Sequence, residues 1–118
     1  MPIQDDHIRQ YALVTAVVCQ VVRWVSDEPQ PGLVEAQVED AAGTVWSFID
    51  KEPIFCAVTP TTYPVAGIIR CTIVATEADS DGREVAVIDT GRPDGVASVD
   101  GTTRFRVPAA SVREERLP

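Results

Sequence analysis

Gly32-Leu33-Val34-Glu35-Ala36-Gln37-Val38-Glu39-Asp40-Ala41-Ala42-Gly43-Thr44-Val45-Trp46-Ser47-Phe48-Ile49-Asp50 is the stretch that decides the fold class. Val34, Ala36 and Val38 alternate with Glu35, Gln37 and Glu39. Beyond a small-residue turn, Trp46 and Phe48 alternate with Val45, Ser47 and Ile49. Period-two patterning on both sides of a turn predicts a β-hairpin. Asp40-Ala41-Ala42-Gly43 suits a type I turn with Gly43 left-handed in a G1 bulge. That turn sets Asp40 against Thr44, Val38 against Trp46 and Ala36 against Phe48. A four-residue loop would slip the register by one and put Trp46 beside Gln37 on the wet face. The first register buries both aromatics and is preferred.

The same pattern recurs outward from the hairpin. Ala12 to Val25 reads as a long strand, since the valines between 17 and 25 are β-branched and stiff at χ1. Its apolar residues fall on both parities, as in a strand covered on both sides while it bends across a small barrel. Ser26 to Gly32 is a loop. Lys51 to Pro64 contains Pro53, Pro60 and Pro64, which exclude a central strand or a regular helix. It reads as one long ordered connection, a kind of segment that often carries function. Gly67 to Glu77 is a strand with Ile69, Cys71, Ile73 and Ala75 on one face. Asp79-Ser80-Asp81-Gly82 turns it into a return strand, Arg83 to Thr90. Val96 to Val107 is expected to form a third hairpin around Asp100-Gly101, a type I′ pair that sets Val96 against Phe105. Residues 108–118 are expected to make a short helical turn and then fray.

These elements predict an all-β fold. The layout is that of a small antiparallel β-barrel, OB-like or SH3-like, of six or seven strands with one long Pro-rich connection. Residues 1–10 form a polar arm, 11–112 the single domain and 113–118 a charged tail. A chain of 118 residues is one domain by size and long enough to fold without a disulfide or a metal.

Composition narrows the function classes. The net charge is −8, which repels nucleic acid and anionic lipid at long range and favours a basic partner. No run of about 18 apolar residues is present to cross a membrane as a helix. Asp5 and Asp6 stand where a secretory signal would carry basic residues. Three cysteines without a close pair fit a reducing compartment, and the expected location is the cytoplasm.

The chemical motifs are weak. His7 is the sole histidine and lies beside Asp5 and Asp6, but adjacent residues on an arm do not supply the converging ligands a metal needs. Asp79, Asp81 and Glu84 resemble part of a calcium loop, yet Arg83 occupies a ligand position, and turn chemistry explains them. Cys19 and Cys71 sit mid-strand as small core residues. Cys56, in the long connection, has no histidine nearby to activate it. No cofactor, metal or catalytic residue is expected. Asp50 and Asp89 continue the parity of apolar faces at strand ends, where burial would shift a carboxyl.

The preferred functional expectation is a non-catalytic protein-interaction module, an accessory or immunity-type partner of a basic protein, or a homodimer. Its binding residues would be Glu35, Gln37 and Glu39 on the polar hairpin face, beside Val45 and Ile49, with Phe55 and Tyr63 as aromatic anchors. One alternative is a small-molecule binder or enzyme with a site at the barrel mouth near Asp50, Cys56 and Tyr63. Another is a single-strand nucleic-acid barrel using Arg70, Arg104 and Arg106.

Overall fold

The computed structural model describes residues 13–116. The arm expected at 1–10, with Asp5, Asp6 and His7, lies outside the described residues. Eight strands are present among them: β1 (Leu13–Ser26), β2 (Leu33–Glu39), β3 (Val45–Lys51), β4 (Val65–Arg70), β5 (Thr72–Ala78), β6 (Glu84–Asp89), β7 (Arg104–Pro108) and β8 (Val112–Arg116). Two short 3-10 turns, Glu52–Ile54 and Ala109–Ser111, complete the regular structure. The fold is all-β, and no described helix is long and apolar enough to cross a membrane.

The opening hairpin has the expected register. Val38 pairs with Trp46 and Ala36 with Phe48, while Asp40 donates its amide to the Thr44 carbonyl at 2.8 Å. Gly43 has φ 85°, a conformation side-chain-bearing residues adopt at a cost, and it closes the turn.

β1 is the spine. It pairs with β8 through Leu13–Val17, with β4 through Ala16–Val21 and with β2 through Gln20–Ser26, all antiparallel. This gives a sheet ordered β3-β2-β1-β4 with β8 also on β1, and a second sheet ordered β5-β6-β7. The core lies between them. Val17, Cys19, Val21, Val34, Ala36, Phe48 and Ile69 of the first sheet meet Ala86, Ile88, Phe105 and Val107 of the second. Phe105 packs edge-on against Trp46 and Phe48, with ring centroids 5.0 and 5.5 Å away.

Several expectations are corrected. The described residues form two antiparallel sheets of eight strands in all, and no closed barrel is found among them. The expected strand 67–77 is two: Cys71 interrupts it, and its amide donates to the Thr15 carbonyl at 3.0 Å while the chain passes from one sheet to the other. Ile69 and Cys71 are buried, but Ile73 and Ala75 are exposed, because β5 extends past the core and a bulge between Ile73 and Ala75 shifts the pattern. The expected Val96–Phe105 pair does not form. Val96 donates to Thr90, Phe105 pairs with Ile88, and the tight turn runs from Ser98 to Gly101. A type I′ turn needs positive φ at both central residues, and Asp100 has none. The tail does not fray directly after a helical turn. Its 3-10 turn leads into β8, which pairs with β1.

Candidate functional site

The strand registers assemble one outer surface on the first sheet. Glu35 faces Ile49, Gln37 faces Ser47 and Glu39 faces Val45 across β2 and β3. Gln20 of β1 joins the Gln37 row and faces Ala66 of β4, and Val18 faces Ile68. All these side chains point away from the core, since their strand neighbours Cys19, Val21, Ala36 and Val38 fill it. The hairpin face proposed from sequence therefore continues across β1 to β4.

A cleft of about 1040 Å³ opens at the far end of this surface. Val18, Gln20, Ala66 and Ile68 form its floor. Gln37 and Glu39 line it on the β2 side, Ser111 and Arg113 at the start of β8, and the connection Cys56–Thr62 on the side of β4. The connection is anchored where the Ile68 amide donates to the Phe55 carbonyl at 3.1 Å. Gly67 permits this approach: a Cβ there would stand 2.8 Å from the Phe55 carbonyl oxygen and 2.9 Å from Val21 Cγ2.

The five residues expected to bind a partner have different environments. Gln37 and Glu39 line the cleft. Glu39 makes no ion pair among the described residues. Glu35 accepts a hydrogen bond from Arg23 Nε at 2.6 Å. Burial pushes the Glu35 carboxyl up, but hydrogen bonds from Arg23, Ser47 and Gln37 and the Arg23 charge outweigh it and hold it below the ordinary range. Phe55 is 1% exposed and belongs to the core. Tyr63 is half-buried against the same core and does not line the cleft.

The alternative mouth site is only partly assembled. Cys56 lines the cleft, whereas Asp50 does not, and its carboxylate accepts the Lys51 amide at 2.8 Å. Glu52, which sequence reasoning passed over, is the carboxylate near Cys56 and Tyr63. It is 4% exposed, its amide donates to the Gly32 carbonyl, and its own carbonyl accepts from Phe55 and Cys56. Burial, and then the Glu52 charge, push the Cys56 thiol up; burial, Cys56 and Glu52 do the same to Tyr63. These shifts keep the thiol protonated and oppose its use as a nucleophile. Burial also pushes Cys19 up to about 12 and Cys71 up to about 11.

The three arginines of the nucleic-acid reading each face a carboxylate. Arg70 forms a two-point pair with Asp94, Arg106 pairs with Glu77, and Arg104 stands 3.9 Å from Asp89. Asp79 caps its own turn, accepting the amides of Asp81 and Arg83 at 2.9 Å each. Among the described residues, no three metal-ligating side chains stand together.

Val99 is a further surface residue that sequence reasoning missed. Its amide donates to the Ser47 carbonyl at 2.9 Å, placing an exposed valine on the outer edge of β3 near Val45 and Ile49. Its loop has no periodicity to signal this. Comparison with protein-family models finds no match, and neither does comparison with curated proteins or with solved structures.

Proposed function

We propose that this chain is a non-catalytic protein-interaction module that docks a basic partner on the outer face of β2 and β3, as an accessory or immunity-type protein does. The observation that carries this is the position of Glu39. It is an exposed carboxylate without an ion pair among the described residues, and it faces exposed Val45 and lines the cleft. Apolar surface beside an unneutralised acid suits a partner that brings both a basic and an apolar side chain. The net charge of −8 accelerates the approach of such a partner. The free thiols Cys19, Cys56 and Cys71 fit the reducing cytoplasm.

For the fold we propose the SH3-like alternative. β4 and β5 follow one another from the first sheet into the second with only Cys71 between them, and β7 returns through a 3-10 turn to β8 on β1. In this reading the β2–β3 hairpin and the Pro-rich connection are an enlarged loop between the first two barrel strands.

Native mass spectrometry of the protein isolated from its own source tests the function. A second, basic protein is expected at stoichiometric mass. The variant Glu39→Lys, at an exposed residue without an ion pair among the described residues, should lose it while stability stays within about 0.5 kcal/mol, as for ordinary surface changes. Retention of the same second mass by this variant would rule out this face.

A second reading rests on the cleft itself, whose volume is sufficient for a small ligand. Protection of Cys56 from alkylation by a small molecule that co-purifies would favour it over protein docking.

A further inference from the structure

β5 ends the second sheet and buries none of its residues. All seven are exposed, with Ile73 at 43% and Val74 at 44%. Its only strand partner among the described residues is β6. The Asp79 amide donates to the Arg83 carbonyl, which fixes the alternation of the ladder. Glu77 and Ala75 therefore bond toward β6, whereas Ala78 and Thr76 direct their N–H and C=O groups away from it. No described backbone group takes them.

Natural edges of this kind are guarded by lysine, proline or inward charge. β5 has no lysine and no proline, and Thr72-Ile73-Val74-Ala75-Thr76 carries no charge. A bulge lies between Ile73 and Ala75, but the strand beyond it is regular. Its one ionised side chain, Glu77, is paired with Arg106. A basic partner finds no free carboxylate on β5 and an acidic one no free cation. A neutral, β-branched strand matches it, and a second copy of this chain supplies one.

We propose that β5 pairs edge to edge with β5 of a second copy, antiparallel about a two-fold axis at Thr76. Thr76 then exchanges both backbone bonds with its counterpart, a favourable cross-strand pair. Beyond the bulge at Val74, Glu77 faces Ala75 of the second copy, so no like charges oppose. The contact is isologous and closes as a dimer. It is independent of the Glu39 face, which lies on the other sheet.

Charge sets its signature. Two bodies of net charge −8 repel, so screening tightens this dimer, whereas it weakens docking of a basic partner. Sedimentation equilibrium should show the dimer constant improving from about 50 to about 500 mM NaCl. Thr76→Pro removes an amide that makes no bond to β6, and Val74→Lys places a guard charge on the edge. Each should weaken the dimer at least about tenfold, with an unchanged unfolding midpoint for the monomer. Hydrogen exchange should show protection of the Thr76 and Ala78 amides that rises with protein concentration. A monomer at high concentration and high salt, a dimer insensitive to both variants, or protection independent of concentration would each overturn the proposal. The last would mean that the edge is covered within one chain.

Discussion

Asp40 holds Trp46. One carboxylate oxygen accepts the indole N–H at 2.9 Å, and the other accepts the amides of Ala42 and Thr44 at 2.9 Å each. The neighbouring Ala41 amide donates to the Arg106 carbonyl, so the turn also ties the hairpin to β7. Asp40→Ala leaves a half-buried indole donor and two turn amides without their acceptor. The expected loss is about 1–3 kcal/mol in urea unfolding, with Asp40→Asn recovering part of it.

The same residue gives the protein an acid limb. Burial raises the Asp40 carboxyl, but hydrogen bonds from Trp46, Thr44, Ala42 and Gly43 outweigh it and lower it below the ordinary value. Hydrogen bonding and the Arg70 charge likewise lower Asp94 against a smaller opposing effect of burial. A depressed folded value stabilises the protein above the unfolded value and loses that contribution as pH falls through the folded one. Thermal stability is therefore expected to fall below about pH 4, and Asp40→Asn should flatten the slope. An unchanged slope in Asp40→Asn would assign the acid limb to other carboxylates.

The buried thiols give the opposite limb. Cys19 at about 12 and Cys71 at about 11 are raised by burial, so the folded state favours the neutral thiol. Their contribution is complete below the unfolded value and is lost as pH rises toward the folded values. Stability should decline from about pH 9 upward. In native protein at neutral pH a thiol reagent should label Cys56 alone, with Cys19 and Cys71 reacting only on unfolding. Labelling of all three at one rate would contradict the burial pattern.

Gly67 offers a test of how the cleft wall is held. Gly67→Ala forces a methyl against the Phe55 carbonyl and Val21. The expected cost is about 1–3 kcal/mol, as for other overpacked sites. Cys56 alkylation should accelerate as the wall detaches, whereas Ala66→Ser, on the exposed neighbour, should leave both measurements unchanged.

The hairpin was legible because a one-residue slip would strand Trp46 and Phe48 in water, so local pattern and burial agree on one register. The break at Cys71 was not. The alternation from Gly67 to Glu77 is uninterrupted in sequence, and nothing local marks where one sheet hands the chain to the other. β8 was invisible for a related reason. Val112-Arg113-Glu114-Glu115-Arg116 has one apolar residue, and only the waiting edge of β1 makes it a strand. The cleft combines both cases. Gln37 and Glu39 were readable on their hairpin, but Val18, Ile68 and Arg113 reach it through long-range pairing. Glu52 escaped notice because its burial follows from the path of the connection, while its neighbours Lys51 and Pro53 suggest surface.

β1 takes its partners from β2 nearby, β4 midway and β8 at the far end of the described chain. Its assembly therefore waits on strands made early, midway and late along the described chain. On a ribosome the Gln20–Ser26 segment can pair as soon as the hairpin emerges, while Leu13–Val17 must wait for Val112–Arg116. Contacts so distant in sequence slow folding, and they leave the newborn strand half-clad until its last partner is made.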